Sequence, residues 1–470
     1  MFDKSALDAC LSGLAQHKQL AGVSACIMGP EGPVYDWHFG VRDAAGLLVP
    51  DSDTMFGIAS MSKSITSLCL CILESEGRLR LDDPVCRYLP AFRVPGQPPE
   101  AVTLWHLMNH TSGIPPMEPL EWSIVMNTPG RDDDEETLRL RSDAPNPMAT
   151  IDQIVDYIAH CPYPMLGAPG EVMSYSNEGY AILSYVVDAA AGMPLEKFMA
   201  ERVFAPLGMT RTILDNGIDA ARALSGGNIT SLFEMREDGT RTCDDCWSVL
   251  PPFRGCAMVK STARDMAVYY RALSQYGVHE GRQALPRRAV ELLIGPYHPV
   301  SPINVMCLGL NKREKAGHVI CEHSGGLHGV STKGALLLGE GYGFSVLCNQ
   351  GDEDMDELMW AMLNAVMGLP LETSHQWFIP AQQPFSCPQM LRGRYIGHEG
   401  TPSIVTIHCS DDGKLTGERD GKPLTLVCCG GTRFLALDPA DGSLSCRLEF
   451  FIRDSRAWGV RVGTRVFGRD

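Results

Sequence analysis

Strand-like segments lie at both ends of a long helical stretch, and this arrangement constrains the fold more than any other feature of the chain. Residues 22–28, "GVSACIM", and 33–41, "PVYDWHFGV", are β-rich and separated by "GPEG", which reads as a hairpin closed by a Gly/Pro turn. From 60 to 200 the pattern is largely helical, punctuated by Pro and Gly. Within it, residues 179–193, "GYAILSYVVDAAAGM", place apolar and small residues at helical spacing. Strand signals return at 316–350 in "AGHVICEH", "STKGALLLGE" and "GFSVLCNQ", and a last helix is predicted over 353–367. A hairpin before the helices and three strands after them predict one antiparallel sheet built from both ends of the chain. Helices flank it, giving an α/β (α+β) layer arrangement with a helical region inserted between the sheet halves.

From about 370 the texture changes. "LETSHQWFIPAQQPFSCP" is turn-rich and reads as a linker. Beyond it, "GRYIG", "SIVTIHC", "GKLTGERDG", "PLTLVCC", "TRFLAL", "CRLEFFI" and "WGVRV" are short strands broken by D-G and G-G turns. Such spacing predicts a small antiparallel barrel or sandwich. The chain thus divides into a first domain over 1–372, a linker over 373–387 and a small β domain over 388–470.

Composition narrows the partners. A net charge of −16 disfavours nucleic acid and anionic membrane. No apolar run reaches the roughly 18–20 residues of a membrane span, and "MFDKSALDAC" has no apolar segment of the kind that directs export. Seventeen cysteines, an odd number with no disulfide-like spacing, read as reduced thiols in a cytoplasm. Cys243 and Cys246 form a lone C-x-x-C without the second ligand pair of a zinc site. The acidic run "RDDDEE" at 131–136 reads as a solvated loop or helix start.

Three constellations carry chemistry. In "FGIASMSKSITS" (56–67), Ser60 and Lys63 are three apart and share a helix face, whereas Ser62 and Ser64 point elsewhere. A serine becomes a nucleophile when a neighbour takes its proton, and a lysine can do so if burial or a nearby cation lowers its pKa. The competing reading makes Ser60 a helix cap and leaves Lys63 in solvent. Among ten lysines, Lys63 alone has a serine three residues before it. Second, "GAPGEVMSYSNEGY" (167–180) holds the one Tyr-x-Asn among thirteen tyrosines, Tyr175 and Asn177. A phenol beside an ammonium can shuttle a proton, and the asparagine amide offers a donor and an acceptor to a substrate amide. The alternative is that Ser176 or Asn177 caps the following helix. Third, "CEHSGGLHG" (321–329) sets His323, Ser324, Gly325 and Gly326 between two strands. Small residues there leave room for a substrate at the strand edge and for a backbone N–H aimed at an oxyanion. His279 and His398 also head "HEG" triplets, but neither lies between strands of the closing sheet half.

Ser-x-x-Lys, Tyr-x-Asn and His-x-Gly in this order resemble the penicillin-recognising serine hydrolases, specifically the class C β-lactamase-like branch. "EGRLRLDDPVCRYLP" (76–90), "VTLWHLMNHTSGIP" (102–115), "PGEVMSYSN" (169–177), "VFAPLGMTRT" (203–212) and "GCAMVKSTARDMAVYYRAL" (255–273) are similar to stretches of that branch, over roughly residues 15–365. The tail resembles the lipocalin-like barrel appended to some D-aminopeptidases. The resemblance implies Ser60 as the acylated nucleophile, Lys63 as its base partner and Tyr175 as the proton shuttle. Asn177, His323, Ser324 and Gly325 would bind substrate, and the N–H groups of Ser60 and Gly326 would form the oxyanion hole. It implies no metal and no organic cofactor. The expected partner is a small molecule or short peptide, and a homo-oligomer is compatible with it.

Two departures shape the substrate. His-Ser-Gly stands where β-lactamases and DD-peptidases carry Lys-Thr-Gly, and a neutral imidazole holds an anion less firmly than a fixed cation. In the branch this histidine goes with esterases, D-aminopeptidases, amidases and peptide cyclases. The stretch 116–150 is long and is expected to overhang the pocket, its acids Asp132, Asp133 and Asp134 gripping a free amine. The leading expectation is hydrolysis of amide, peptide or ester bonds through an acyl-enzyme. Transfer of the acyl group to an amine is the close alternative, followed by β-lactamase or DD-peptidase activity, and a non-catalytic binding role comes last.

Overall fold

A computed structural model describes residues 2–470 apart from 131–133, 237, 296, 302–303, 377, 379 and 382–384. The early hairpin is present as β1 (Gly22–Gly29) and β2 (Gly32–Gly40). The later strands are β3 (His298–Ser301), β4 (Asn304–Met306), β5 (Asn311–Lys315), β6 (His318–Leu327), β7 (Val330–Leu337) and β8 (Tyr342–Cys348). Among the described residues these eight form one antiparallel sheet in the order β3-β4-β5-β6-β7-β8-β1-β2. The two ends of the chain meet where β1 pairs β8, with Val23 opposite Cys348 and Met28 opposite Gly343. The sheet therefore has three strands, β3 to β5, that the sequence reading did not anticipate.

Helices cover both faces. α1 (Lys4–His17) and α5 (Asp356–Met367) pack on one side, where Leu7, Leu11, Leu358 and Met362 meet Val23, Ala25 and Ile27 of β1. α2 (Ser62–Ser75), α3 (Asn177–Ala191) and α4 (Ala263–Ser274) belong to the larger core on the other side, which takes in Cys26 and Met28. Every residue of β1 is buried, as a strand sandwiched between two helical layers requires. α2 is buried from Ser62 to Leu73, its polar residues Ser62, Lys63, Ser64, Thr66 and Ser67 included. A side chain at Gly334 on β7 would run into the Tyr270 ring, so the glycine lets α4 lie close on the sheet.

The tail forms a closed barrel of β9 (Gly393–Gly397), β10 (Ser403–Cys409), β11 (Leu415–Arg419), β12 (Lys422–Cys428), β13 (Arg433–Leu437), β14 (Leu444–Arg453), β15 (Arg456–Val462) and β16 (Arg465–Arg469). The last strand, absent from the seven read in the sequence, closes it by pairing with β9. Tyr395, Val405, Phe434, Leu448 and Phe450 fill its interior. The barrel docks on the segment before α3. Thr464 accepts the Tyr175 N–H at 2.9 Å, Val466 N–H donates to Ser174 Oγ at 3.0 Å, and His398 stacks on Tyr163 with centroids 3.7 Å apart. Among the described residues no helix is long and apolar enough to cross a membrane. The stretch 116–150 holds two helices, Pro119–Asn127 and Glu135–Asp143. Asp134 caps the second by accepting the Thr137 N–H at 2.7 Å. Asp132 and Asp133 lie outside the described residues.

Behind β6 a buried charge cluster ties three strands together. Arg313 on β5 donates to both oxygens of Glu322 on β6 at 2.7 and 3.0 Å, and Lys333 on β7 stands 3.8 Å from the same carboxylate. Burial works to raise the Glu322 pKa, but Lys333 and Arg313 outweigh it and hold the carboxyl down to about 2. A carboxyl depressed on folding from an ordinary value of 4.5 stabilises the fold above that value and ceases to do so as pH falls toward 2. Glu322→Gln is expected to cost about 3 kcal/mol at pH 7, because Arg313 loses its carboxylate in the interior while Lys333 keeps Asp356. The deficit should shrink as the pH is lowered from 5 toward 3. Thermal melts of the two proteins across that range test both statements.

Candidate active site

Ser60 lies in a single 3₁₀ turn, Ala59–Met61, that runs into α2. In that geometry side chains three apart eclipse one another, and Lys63 Nζ donates to Ser60 Oγ at 2.9 Å. The preceding residue, Ala59, is held at φ +44°, a left-handed conformation that costs a non-glycine residue on the order of 1 kcal/mol. Lys63 is fully buried, so the reading that left it in solvent is overturned. Ser62 Oγ accepts the Val259 N–H at 3.3 Å and Ser64 Oγ donates to Met61 O at 2.9 Å, so both serve packing.

Cys256, in the short helix Arg254–Ala257, meets Lys63 from the other side. Lys63 Nζ is 3.0 Å from its sulfur and 3.2 Å from its carbonyl oxygen. Burial penalises the Lys63 ammonium, but its interactions with Cys256 and Tyr175 prevail, so its pKa is raised. This is opposite to the sequence argument, in which burial or a nearby cation lowers it. Burial likewise raises the Cys256 thiol, and its S–H donates to Asn177 Oδ1 at 3.3 Å.

Tyr175 and Asn177 sit at the entry to α3. Ser176 is the cap, accepting the Gly179 N–H at 3.1 Å, which leaves its two neighbours free to face the cleft. The capping reading of this motif therefore holds on Ser176, and Tyr175 and Asn177 lie on either side of the cap. Lys63 Nζ lies 4.9 Å from the Tyr175 ring centroid, and His110 stacks on the same ring at 4.3 Å. His110 is itself held at φ +60°, and its Nδ1 accepts the Ser176 N–H at 3.1 Å. Burial and the nearby Lys63 push its pKa well down, which leaves a neutral ring.

The third motif lies on β6. The His323 ring is 6.1 Å from that of Tyr175, and burial, with Lys63 adding, pushes its pKa down to about 4. Its Nδ1 donates to the Ser324 carbonyl at 2.5 Å, so Nε2 carries the lone pair. Gly326 lines the same cleft as Ser60. The Ser324 side chain is exposed, and Gly325 faces inward. A Cβ at Gly325 would collide with the Ile58 carbonyl and meet Thr332 Oγ1 at 2.5 Å, so this glycine lets β6 approach the turn that carries Ser60.

Of these groups Ser60, Asn177, Cys256 and Gly326 line a cavity of about 680 Å³. Leu120, Glu121 and Ile124 of the 116–150 stretch overhang it, and Glu399 and Arg465 of the barrel form another wall. Glu399 accepts from Asn177 Nδ2 at 2.8 Å and from Arg465 Nη2 at 2.7 Å. Cys256, His110, Glu399 and Arg465 are the site residues that sequence reasoning missed. Glu399 belongs to one of the "HEG" triplets set aside as background, and His110 to the quoted stretch at 102–115.

The geometry pairs a serine hydroxyl with a buried lysine on a layered α/β/α frame. The Beta-lactamase family profile matches residues 7–367, and the chain belongs to that family. Penicillin-binding protein 4* of Bacillus subtilis (strain 168) is 30% identical over 183 residues, 39% of this chain and 36% of that protein. The chain spans about a third to a half of the length of the curated relatives it matches. Among solved structures, the octameric penicillin-binding protein homologue from Pyrococcus abyssi superposes over 99% of both chains with a TM-score of 0.68 at 20% identity. A D-stereospecific amidohydrolase from Streptomyces sp. covers 76% of this chain and 98% of its own, with a TM-score of 0.60 at 24% identity. Both likenesses are in fold.

Gly325→Ala is expected to slow labelling of Ser60 by a fluorophosphonate at least tenfold and to cost about 1–3 kcal/mol through overpacking. Ser324→Ala, one residue away on the exposed side, should leave the stability read from the melting midpoint within about 0.5 kcal/mol of wild type. The labelling rate of Gly325→Ala and the melting midpoints of both variants decide the matter.

Proposed function

We propose that the chain is a serine hydrolase that forms an acyl-enzyme on Ser60 and passes the acyl group to water. The 2.9 Å contact between Lys63 Nζ and Ser60 Oγ inside the shared cleft carries the reading. Ser60 Oγ attacks the substrate carbonyl while its proton passes to Tyr175, in a field set by Lys63. The N–H groups of Ser60 and Gly326 receive the oxyanion, and Tyr175 then returns the proton to the departing amine or alcohol. Asn177, its amide pinned by Cys256 on one side and Glu399 on the other, orients the substrate amide. Water, entering on the vacated side, repeats the sequence to free the acid.

In this reading residues 1–372 carry the chemistry, 373–387 connect, and 388–470 wall the cleft. The substrate is a small amide, peptide or ester, D-configured amides included. Glu121, Glu234, Asp352 and Glu399 line the cavity against Arg465 and His328, a lining that favours a free amine over a carboxylate. The neutral His323 supports the same preference, since it offers no fixed cation to an anionic substrate. Free cysteines throughout the described residues support a reducing, cytoplasmic setting, and the octameric neighbour supports a homo-oligomer.

Side-by-side turnover of D- and L-aminoacyl amides, their N-acylated forms, short esters and nitrocefin tests the substrate class. Free-amine amides or esters should lead, and Ser60→Ala should lose at least a thousandfold in kcat/KM. Nitrocefin as the best substrate would sink the proposed specificity, and full activity in Ser60→Ala would sink the nucleophile. Product analysis with a competing amine separates hydrolysis from acyl transfer.

A further inference from the structure

The barrel contributes more than a wall. The two residues that flank Arg465 grip the segment carrying Tyr175: Thr464 accepts the Tyr175 N–H, and Val466 donates to Ser174 Oγ. Arg465 is thereby delivered into the cleft in a set register, its guanidinium carbon 4.9 Å from the Tyr175 ring centroid. One oxygen of Glu399 joins it to Asn177, at 2.7 and 2.8 Å. We propose that Arg465, held by Glu399, is a positioning residue for proton transfer at Ser60, its fixed charge acting through Tyr175. The proposal rests on the reading of Ser60 as nucleophile and Tyr175 as its proton acceptor.

The charges that face the Tyr175 ring come from every surrounding element. Lys63 on α2 is 4.9 Å from the centroid, the same distance as Arg465. His110 and His323 are pushed down by burial and are neutral at pH 7. The Cys256 thiol is pushed up, and burial raises the Glu178 carboxyl on α3 to about 7. The anions are Glu399, shared between Arg465 and Asn177, Glu178 above pH 7, and Glu121, which acts on Arg465. Lys63 and Arg465 are therefore the cations that flank the Tyr175 ring, placed to favour passage of the Ser60 proton onto it. Arg465 supplies from the barrel a positive charge in a cleft whose third motif offers only a neutral histidine.

The test measures the rate of Ser60 labelling by a fluorophosphonate from pH 5 to 10 in the full chain. The Oγ–P bond forms, fluoride leaves and the serine proton passes to Tyr175, so no natural substrate is needed. Arg465→Gln should move the rising limb of the profile up by about one pH unit, a roughly tenfold slower reaction below the limb with an unchanged plateau. Arg465→Lys should recover most of the shift. Glu399→Gln, which removes a negative charge, should move the limb down. A limb unmoved in Arg465→Gln, or a uniform loss at every pH, overturns the proposal and marks a structural role. If Arg465→Gln does not fold, Glu399→Gln decides alone, and a limb unmoved or moved up overturns the proposal. Wild-type protein that takes no label at Ser60, with Ser60→Ala as control, overturns the underlying reading instead.

Discussion

The pairing of β1 with β8 is the contact on which the rest depends. It joins residues more than three hundred positions apart, Val23 with Cys348, and makes the helical region between them an insertion closed at its base. Closing so long a loop is entropically costly. The cost is offset by burying the strand on both faces, in two apolar cores at once. With the sheet closed, β6 is carried to the turn that holds Ser60, and Gly325 sets how near the two come. The candidate nucleophile and the third motif thus owe their proximity to a contact made elsewhere.

What could be read from the sequence follows from range. The hairpin, α3, strands β6 to β8 and the barrel announce themselves through local periodicity and turns. Strands β3 to β5 do not. They are three to five residues long, one contains Pro299 at a register shift, and β5 reads "NKREK", with no apolar alternation. At the site, Ser60 and Lys63 were legible because one turn of helix brings them together. Cys256 lies 193 residues from Lys63 and Glu399 lies 222 from Asn177, so no local pattern could announce either. The direction of the Lys63 pKa was misjudged for the same reason, since Cys256 and Tyr175 reach it only through the fold.

The site also holds strain. Ala59 and His110 are non-glycine residues in the left-handed region, one beside Ser60 and the other against Tyr175. Each conformation is unfavourable alone and persists because its surroundings over-determine it. Ala59 is fully buried among Leu232, Trp247 and Val330. His110 is buried, stacks on Tyr175 and accepts a backbone N–H from Ser176. Packing energy from the core is thereby spent on aiming two side chains.

The cavity's double parentage has a thermodynamic consequence. Its lining comes from both folded units, so an occupant that reaches Glu399 or Arg465 as well as Ser60 bridges the two. By reciprocity of linkage, filling the cleft and seating the barrel must favour one another by the same factor. The cleft is in that sense a clasp as well as a binding surface. Each such occupant acts as a temporary rivet between the barrel and the sheet, and its departure loosens the joint it had fastened.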